Sequence, residues 1–500
     1  MYELPFHSPN LISLVVLLAS LWFVKLTYGK RETLPLPPGP PGNWLLQSRN
    51  IKSRPTFQLA KLIETYGPVF SVKRGSQRIV IIGRYKAAID IMEKEGASLA
   101  DRPRYVAGGE ILSGDMRITF VGDADRLRRF RRAMHAHLQP RVAATYETMQ
   151  SRHAKNLILD MLEDPENHQM HAKRYAASVT MTFTYGKTTP TAYTDSEVIA
   201  MNLYARRVNL TARPGASLVD SYPILKYVPY YLRKLRKWHL EELAFFQSLV
   251  DAVRRQSAEG EARFSLTNYL LENQEKDGLN DKEVAYIAGS MFGAGTDTTA
   301  SAITFMIMSA ALHPEAQAKV HEELDAVVGR NKLPTFADWE NLPQLTAFML
   351  ENLRWRPIAP GGLPHRATKD VIWNGYVIPA GTCVIGNIWA IAHDPEIFPN
   401  PDEFDPQRWI DANGNVRQDL EFFSFGFGRR VCPGRHVANR SMFINTAYML
   451  WSFRISEDPA LPIDSLAFLD TIVVHPDPFK VIIEPRVSED LLRQLCSADS

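Results

Sequence analysis

Residues 423–434 read Phe-Ser-Phe-Gly-Phe-Gly-Arg-Arg-Val-Cys-Pro-Gly, a glycine-rich loop that carries Cys432 between Arg429, Arg430 and Arg435. An amphipathic run from about Val437 to Phe453 follows, so the sulfur stands at the N-terminal end of a predicted helix. Converging backbone N–H groups, the positive end of the helix dipole and the arginines each favour thiolate over thiol. The other cysteines, Cys383 and Cys496, lie far away in sequence. A lone thiolate in such a loop is a nucleophile or a metal ligand rather than half of a disulfide. A second group is Gly293-Ala294-Gly295-Thr296-Asp297-Thr298-Thr299. Glycine inside a helix costs about 1 kcal/mol relative to alanine, which suggests that something flat or bulky presses on the backbone there. The Thr298 hydroxyl, four residues after Ala294, is expected to compete for that carbonyl and open the helix locally. A hydroxyl, a carboxylate and ordered water can deliver protons to a reacting oxygen. A third group is Glu351 and Arg354, three apart on a helix ending before Pro357, with Arg408 further on.

The elements that must position these groups are mostly helical. Asn280-Asp281 offers an N-cap, and the helix after it is expected to run to His313, where Pro314 stops it. Leu127 to His137 is a strongly basic helix on which Leu127, Arg131 and His135 share a face. Short apolar strands are predicted in three pairs. Val69–Val72 and Ile79–Ile82 form the first, Val371–Trp373 and Tyr376–Ile378 around Asn374-Gly375 the second, and Ile472–Val474 with Lys480–Ile483 the third. The 500 residues are 45% hydrophobic with a net charge of +2, which suits a large core and gives no bulk attraction to nucleic acid. Three scattered cysteines exclude a disulfide framework.

Phe425, Gly428, Arg430, Cys432 and Gly434 fit F-x-x-G-x-R-x-C-x-G. Here the chain resembles the cysteine-ligand loop of the cytochrome P450 family, and neither the papain nor the caspase cysteine signature is present. The resemblance extends to the A/G-G-x-D/E-T-T/S run at Asp297 and Thr298, to E-x-x-R at Glu351 and Arg354, and to a P-E-R-F-like segment at Pro406–Trp409. It implies a mainly α (α+β) fold: a large helical body with a small β-sheet subdomain built from both ends of the sequence. It implies haem b with Cys432 as axial ligand. Phe425 would shield the sulfur, and Gly428 and Gly434 would let the backbone pass beneath the macrocycle. Arg131, Arg366 and Arg430 would hold the propionates. Glu351, Arg354 and Arg408 would form a buried network that locks the loop. In the family a tryptophan precedes the Arg131 position by four residues; Leu127 stands there instead. The implied activity is a monooxygenase with Thr298 and Asp297 managing protons and NADPH electrons arriving through a separate reductase, with cytochrome b5 as a second donor.

Residues 8–24 carry no charge, and with Leu26 and Tyr28 they approach the ~20 residues that span a bilayer. Lys25, Lys30 and Arg31 follow, which places the body in the cytosol. The expected division is an anchor over 1–30, a proline-rich linker over 31–45 and the catalytic domain over 46–500. The implied location is the endoplasmic reticulum membrane, single-pass. Ser221 to Trp238 mixes aromatics with lysine and arginine, as a lipid-contacting surface does. Arg128, Arg129 and Arg132 suggest a docking patch for an acidic electron donor. The sequons at Asn209 and Asn439 are read as chance, and pocket residues are expected in 102–120, 201–217 and 358–363. The segment Asn387 to Pro399, with the wording around Leu363–Arg366, resembles fungal microsomal members of specialised metabolism, which implies hydroxylation of a terpenoid, polyketide or alkaloid intermediate. Two alternatives stand beside this: a haem-thiolate isomerase or dehydratase acting on a peroxide, and a non-catalytic haem carrier or sensor.

Overall fold

The computed structural model describes residues 34–42 and 55–497, except 75–76, 123–124, 189–191, 213–215, 421–422 and 469–470, together with residue 20. The expected anchor, residue 20 apart, and both ends of the linker lie outside the described residues. Among the described residues no helix is long and apolar enough to cross a membrane.

The long helices are α1 (Pro55–Tyr66), α2 (Asp125–Leu138), α3 (Glu147–Glu163), α4 (His168–Tyr185), α5 (Ser196–Ala212), α6 (Arg233–Ala258), α7 (Asp281–Leu312), α8 (Pro314–Val327), α9 (Pro343–Trp355) and α10 (Arg435–Ser452). The strands are β1 (Val69–Arg74), β2 (Gln77–Ile82), β3 (His365–Arg366), β4 (Val371–Trp373), β5 (Tyr376–Ile378), β6 (Cys383–Gly386), β7 (Phe453–Glu457) and β8 (Val481–Pro485). They make a four-stranded sheet in the order β1-β2-β6-β3 and two separate hairpin-like pairs. In the larger sheet the N-terminal β2 lies parallel to β6 from the second half of the chain, with Val80 opposite Val384. The third strand pair differs from expectation. β8 pairs with β7, Ile455 facing Ile483, and residues 472–474 form no strand. The segment is apolar but sits between two prolines and a chain reversal, while β7 continues straight from the end of α10 and offers a free edge.

α7 is the axis of the helical body, with α4, α6 and α10 packed along it. Its start is a capping box: Asn280 Oδ1 accepts from the Glu283 N–H at 3.0 Å, and Glu283 Oε2 accepts from the Asn280 N–H at 3.1 Å. Its end is set by Pro314, the first residue of α8. The N-terminal half, Val284 to Phe292, is buried in an apolar cluster with α2, α4 and α6. The C-terminal half, from Ala300 onward, belongs to a second cluster with α3, α4, α9 and α10. Residues 293–299 lie between the two cores. Ala294 is exposed and Gly295, Asp297, Thr298 and Thr299 are half-buried, in the middle of an otherwise buried 32-residue helix. Burial lapses mid-helix, so this turn is less tightly packed than the helix on either side of it.

Candidate active site

Cys432 lies at the foot of α10, with Gly434 as the N-cap residue. Its N–H donates to the Phe425 carbonyl at 2.8 Å, which folds the loop back on itself beside the half-buried Phe425 ring. Contrary to the thiolate expectation, burial pushes the Cys432 thiol up, and this outweighs the Gly434 N–H, Arg131 and Arg435, which all pull it down. Desolvation of a sulfur anion is large when no cation touches it; a metal bond would deprotonate it outright. The glycines also differ in their reasons. Gly428 has φ +49°, and a Cβ there would stand 2.9 Å from the Met92 carbonyl and 3.1 Å from Gly96 Cα. It is required by packing against the 92–96 turn. A Cβ on Gly434 would meet only the Cys432 sulfur, at 3.8 Å.

Around this loop the chain buries positive charge. Arg131 of α2 donates to the Val431 carbonyl at 3.1 and 3.2 Å, next to the cysteine. Arg430 is buried and donates to the carbonyls of Ala100 and Val121. Arg102, read earlier only as a pocket residue, is buried too. It donates to the Leu363 and Pro364 carbonyls, while its Nε has no partner. Burial, and then the like charge of Arg430, hold Arg102 down to about 9, so it remains a cation at neutral pH. His365 is buried beside them and donates from Nδ1 to the Leu99 carbonyl at 2.7 Å. Burial, Arg102 and Arg430 push it to about 3. Two buried arginines, of which Arg102 has an orphaned Nε–H, call for an anionic group in this place. The residues fit a flat iron macrocycle with carboxylate arms: cations for the arms and a sulfur for the iron.

Arg366 does not join this set. It pairs with Asp101 through Nε at 2.6 Å and through Nη2, and its side chain is half exposed. In a strand successive side chains point to opposite faces, so His365 turns inward and Arg366 outward. His365 and Arg102 are the residues that sequence reasoning missed. Pro364-His365 and Asp101-Arg102 have no spacing between them to read, because they meet only in the fold, where β3 lies against residues 101–102.

The mid-helix groups are arranged as follows. Thr298 Oγ1 donates to the Ala294 carbonyl at 2.7 Å, yet α7 stays helical throughout and is not opened. The two glycines of this run answer to other helices. A Cβ on Gly295 would lie 2.3 Å from Thr180 Cγ2 of α4, and one on Gly293 2.9 Å from Met201 Sδ of α5. Asp297 Oδ1 accepts from His475 Nε2 at 2.8 Å. Some of the segments expected to line the pocket meet one another. Gly108 packs near Thr211 and Phe120, and Val474 donates its N–H to the Ile358 carbonyl at 2.9 Å.

Glu351, Arg354 and Arg408 meet as one buried network. Arg354 grips Glu351 with two bonds of 2.7 and 2.8 Å, and Arg408 Nε reaches the same carboxylate at 3.0 Å. Trp409 Nε1 and the Asp405 N–H, each at 2.9 Å, complete it. Trp409 shares an apolar cluster with Phe423 and Phe427, which joins the network to the cysteine loop. The basic face of α2 is partly neutralised: Arg129 pairs with Asp125 and Glu283, and Arg132 with Asp277. Arg128 keeps its side chain exposed beside Asp125, 3.8 Å away.

Residues 35–483 match the family model described as Cytochrome P450. The chain is 54% identical over 454 residues to cytochrome P450 monooxygenase 64 of Postia placenta, covering 91% of this chain and 92% of that one. Cytochrome P450 monooxygenase 113 of the same fungus is 52% identical, covering 93% and 94%. Cytochrome P450 monooxygenase claR of Ampulloclitocybe clavipes is 33% identical, covering 92% and 88%.

Proposed function

This chain belongs to the cytochrome P450 family, and from that premise we propose that it hydroxylates a hydrophobic terpenoid, polyketide or alkaloid intermediate of fungal specialised metabolism at a membrane surface. It is a haem-thiolate monooxygenase. The observation that carries the finer reading is the lapse of burial within 293–299 of α7, which leaves Asp297 and Thr298 half-buried between two apolar cores.

When bound, haem b would supply the activation of dioxygen, one atom of which is inserted, with NADPH electrons arriving through a reductase. Cys432 would hold the iron. Arg102, Arg430 and Arg131 would receive the acidic arms, with the neutral His365 packed beside them. Phe425 keeps water from the sulfur. Thr298, with its proton engaged on the Ala294 carbonyl, would present its lone pairs to water at this half-buried turn. Asp297 provides the titratable group one residue away.

Membrane attachment rests on residues 8–24 and on an exposed apolar ridge before α6. Tyr222, Ile224, Tyr227 and Tyr230 are 62 to 83% exposed, close to Lys234 and Arg233. Such a ridge suits an interfacial bilayer contact that admits apolar substrate from lipid. The endoplasmic reticulum is the matching location. The reductase, with cytochrome b5 as a second donor, would dock on the basic face of α2 that carries Arg128, Arg129 and Arg132, of which Arg128 is the most exposed. Incubating the haem-loaded enzyme with a flavoprotein reductase, NADPH and extracts of the three metabolite classes tests the reading. NADPH-dependent gain of one oxygen atom is expected. A product formed without NADPH, or none from any class, overturns it.

A further inference from the structure

His475 takes no part in the motifs around Cys432 or Thr298, yet it is fixed against the same helix. Its neighbour Val474 is fastened on both sides: the N–H to the Ile358 carbonyl, and the carbonyl by the Ser301 hydroxyl. Ser301 lies four residues after Asp297, so both occupy one face of α7. Pro476 bridges to Phe468 and limits the backbone on the other side. The segment 474–476 is thus stapled to α7 at two successive turns, and one staple is the 2.8 Å contact from His475 Nε2 to Asp297 Oδ1. Asp297 is 22% exposed and His475 35%, whereas most of α7 is closed to water. Imidazole is suited to this place, since it takes a proton on one nitrogen while releasing one from the other.

We propose that His475 is the positioning residue of Asp297, holding its carboxylate at the half-buried mid-helix turn and passing it protons from solvent. One proton enters at Nδ1, the Nε2 proton moves to Oδ1, and the ring is left neutral in its other tautomer. Asp297 then carries the proton toward the water ordered by Thr298. The inference rests on the proton roles proposed for Asp297 and Thr298.

The test needs no substrate. With a reductase, NADPH and dioxygen alone, each dioxygen becomes peroxide with one NADPH or water with two, and only water formation needs further protons at the bound oxygen. His475→Gln keeps a donor to Asp297 but cannot exchange protons; His475→Ala removes both. Both variants are expected to raise the peroxide-to-water ratio about tenfold or more, with wild-type haem content and melting temperature in His475→Gln. Imidazole NMR of the haem-loaded wild type should show one Nε2–H shifted by a carboxylate partner, absent in His475→Gln and relaxed in Asp297→Asn. A wild-type ratio in His475→Gln, or an Nε2–H indifferent to Asp297→Asn, overturns the proposal. Failure of the monooxygenase reading would instead appear as a wild type that does not oxidise NADPH, and the NMR result decides the role of His475 even then.

Discussion

Arg102 and Arg366 carry the same charge and flank the same strand contact, yet only one is poised for an anion. Arg366 already has Asp101, whereas Arg102 has carbonyls and an unpartnered Nε. Leaving a buried cation without its counter-ion is costly, so the bound anion gains what the empty site lacks. Arg102→Leu is therefore expected to lower haem retention by about tenfold, while Arg366→Leu changes it by less than about twofold. Haem loss to an excess of apomyoglobin measures both, and equal losses would contradict the assignment. At the same scale Thr298→Ala should divert NADPH electrons to peroxide without weakening a substrate's binding; unchanged peroxide release would remove Thr298 from the proton path. The cysteine, its loop and these two mid-helix residues were legible because their spacing lies within a few positions. His365 and Arg102 were not, because a two-residue strand decides which of Pro364-His365-Arg366 turns inward.

Among the elements, α7 shows how local rules and packing divide the work. Its cap and its stop were readable from Asn280 and Pro314, since both act within one turn. The reason for its glycines was not, since it lies on other helices. If Gly295 exists to admit Thr180, then Gly295→Ala should destabilise the protein by about 1–3 kcal/mol despite alanine's better helix propensity. Thr180→Ser removes the offending methyl, so the double variant should recover most of the loss. Denaturant midpoints decide it: additive losses in the double variant would mean that the glycine serves something else. The Glu351 network makes a parallel prediction. Glu351→Gln leaves Arg354 and Arg408 without a buried counter-charge, and a loss of about 3–5 kcal/mol is expected, together with loosening of the cysteine loop. A loss below about 1 kcal/mol, as for a surface pair, would contradict its burial.

For the whole molecule, buried histidines set the response to acid. His137, His153, His168, His313 and His321 are each pushed by burial from 6.5 to about 4. Between those values the unfolded chain binds protons that the folded chain refuses, so stability is full above about 6.5 and falls as pH drops toward 4. Urea midpoints that stay flat across that interval would show these histidines to be solvated. The helical body and the joining of β2 to β6 follow the resemblance. The edge on which β8 settles escaped the sequence because strand partners are chosen by which edge is free in space. The central claim concerns the sulfur. The ferrous carbonyl spectrum of purified, haem-loaded protein tests it most directly. The wild type should give the red-shifted band of thiolate ligation and Cys432→His the band of histidine ligation; a histidine-type band in the wild type, or protein that takes up no haem, would contradict it.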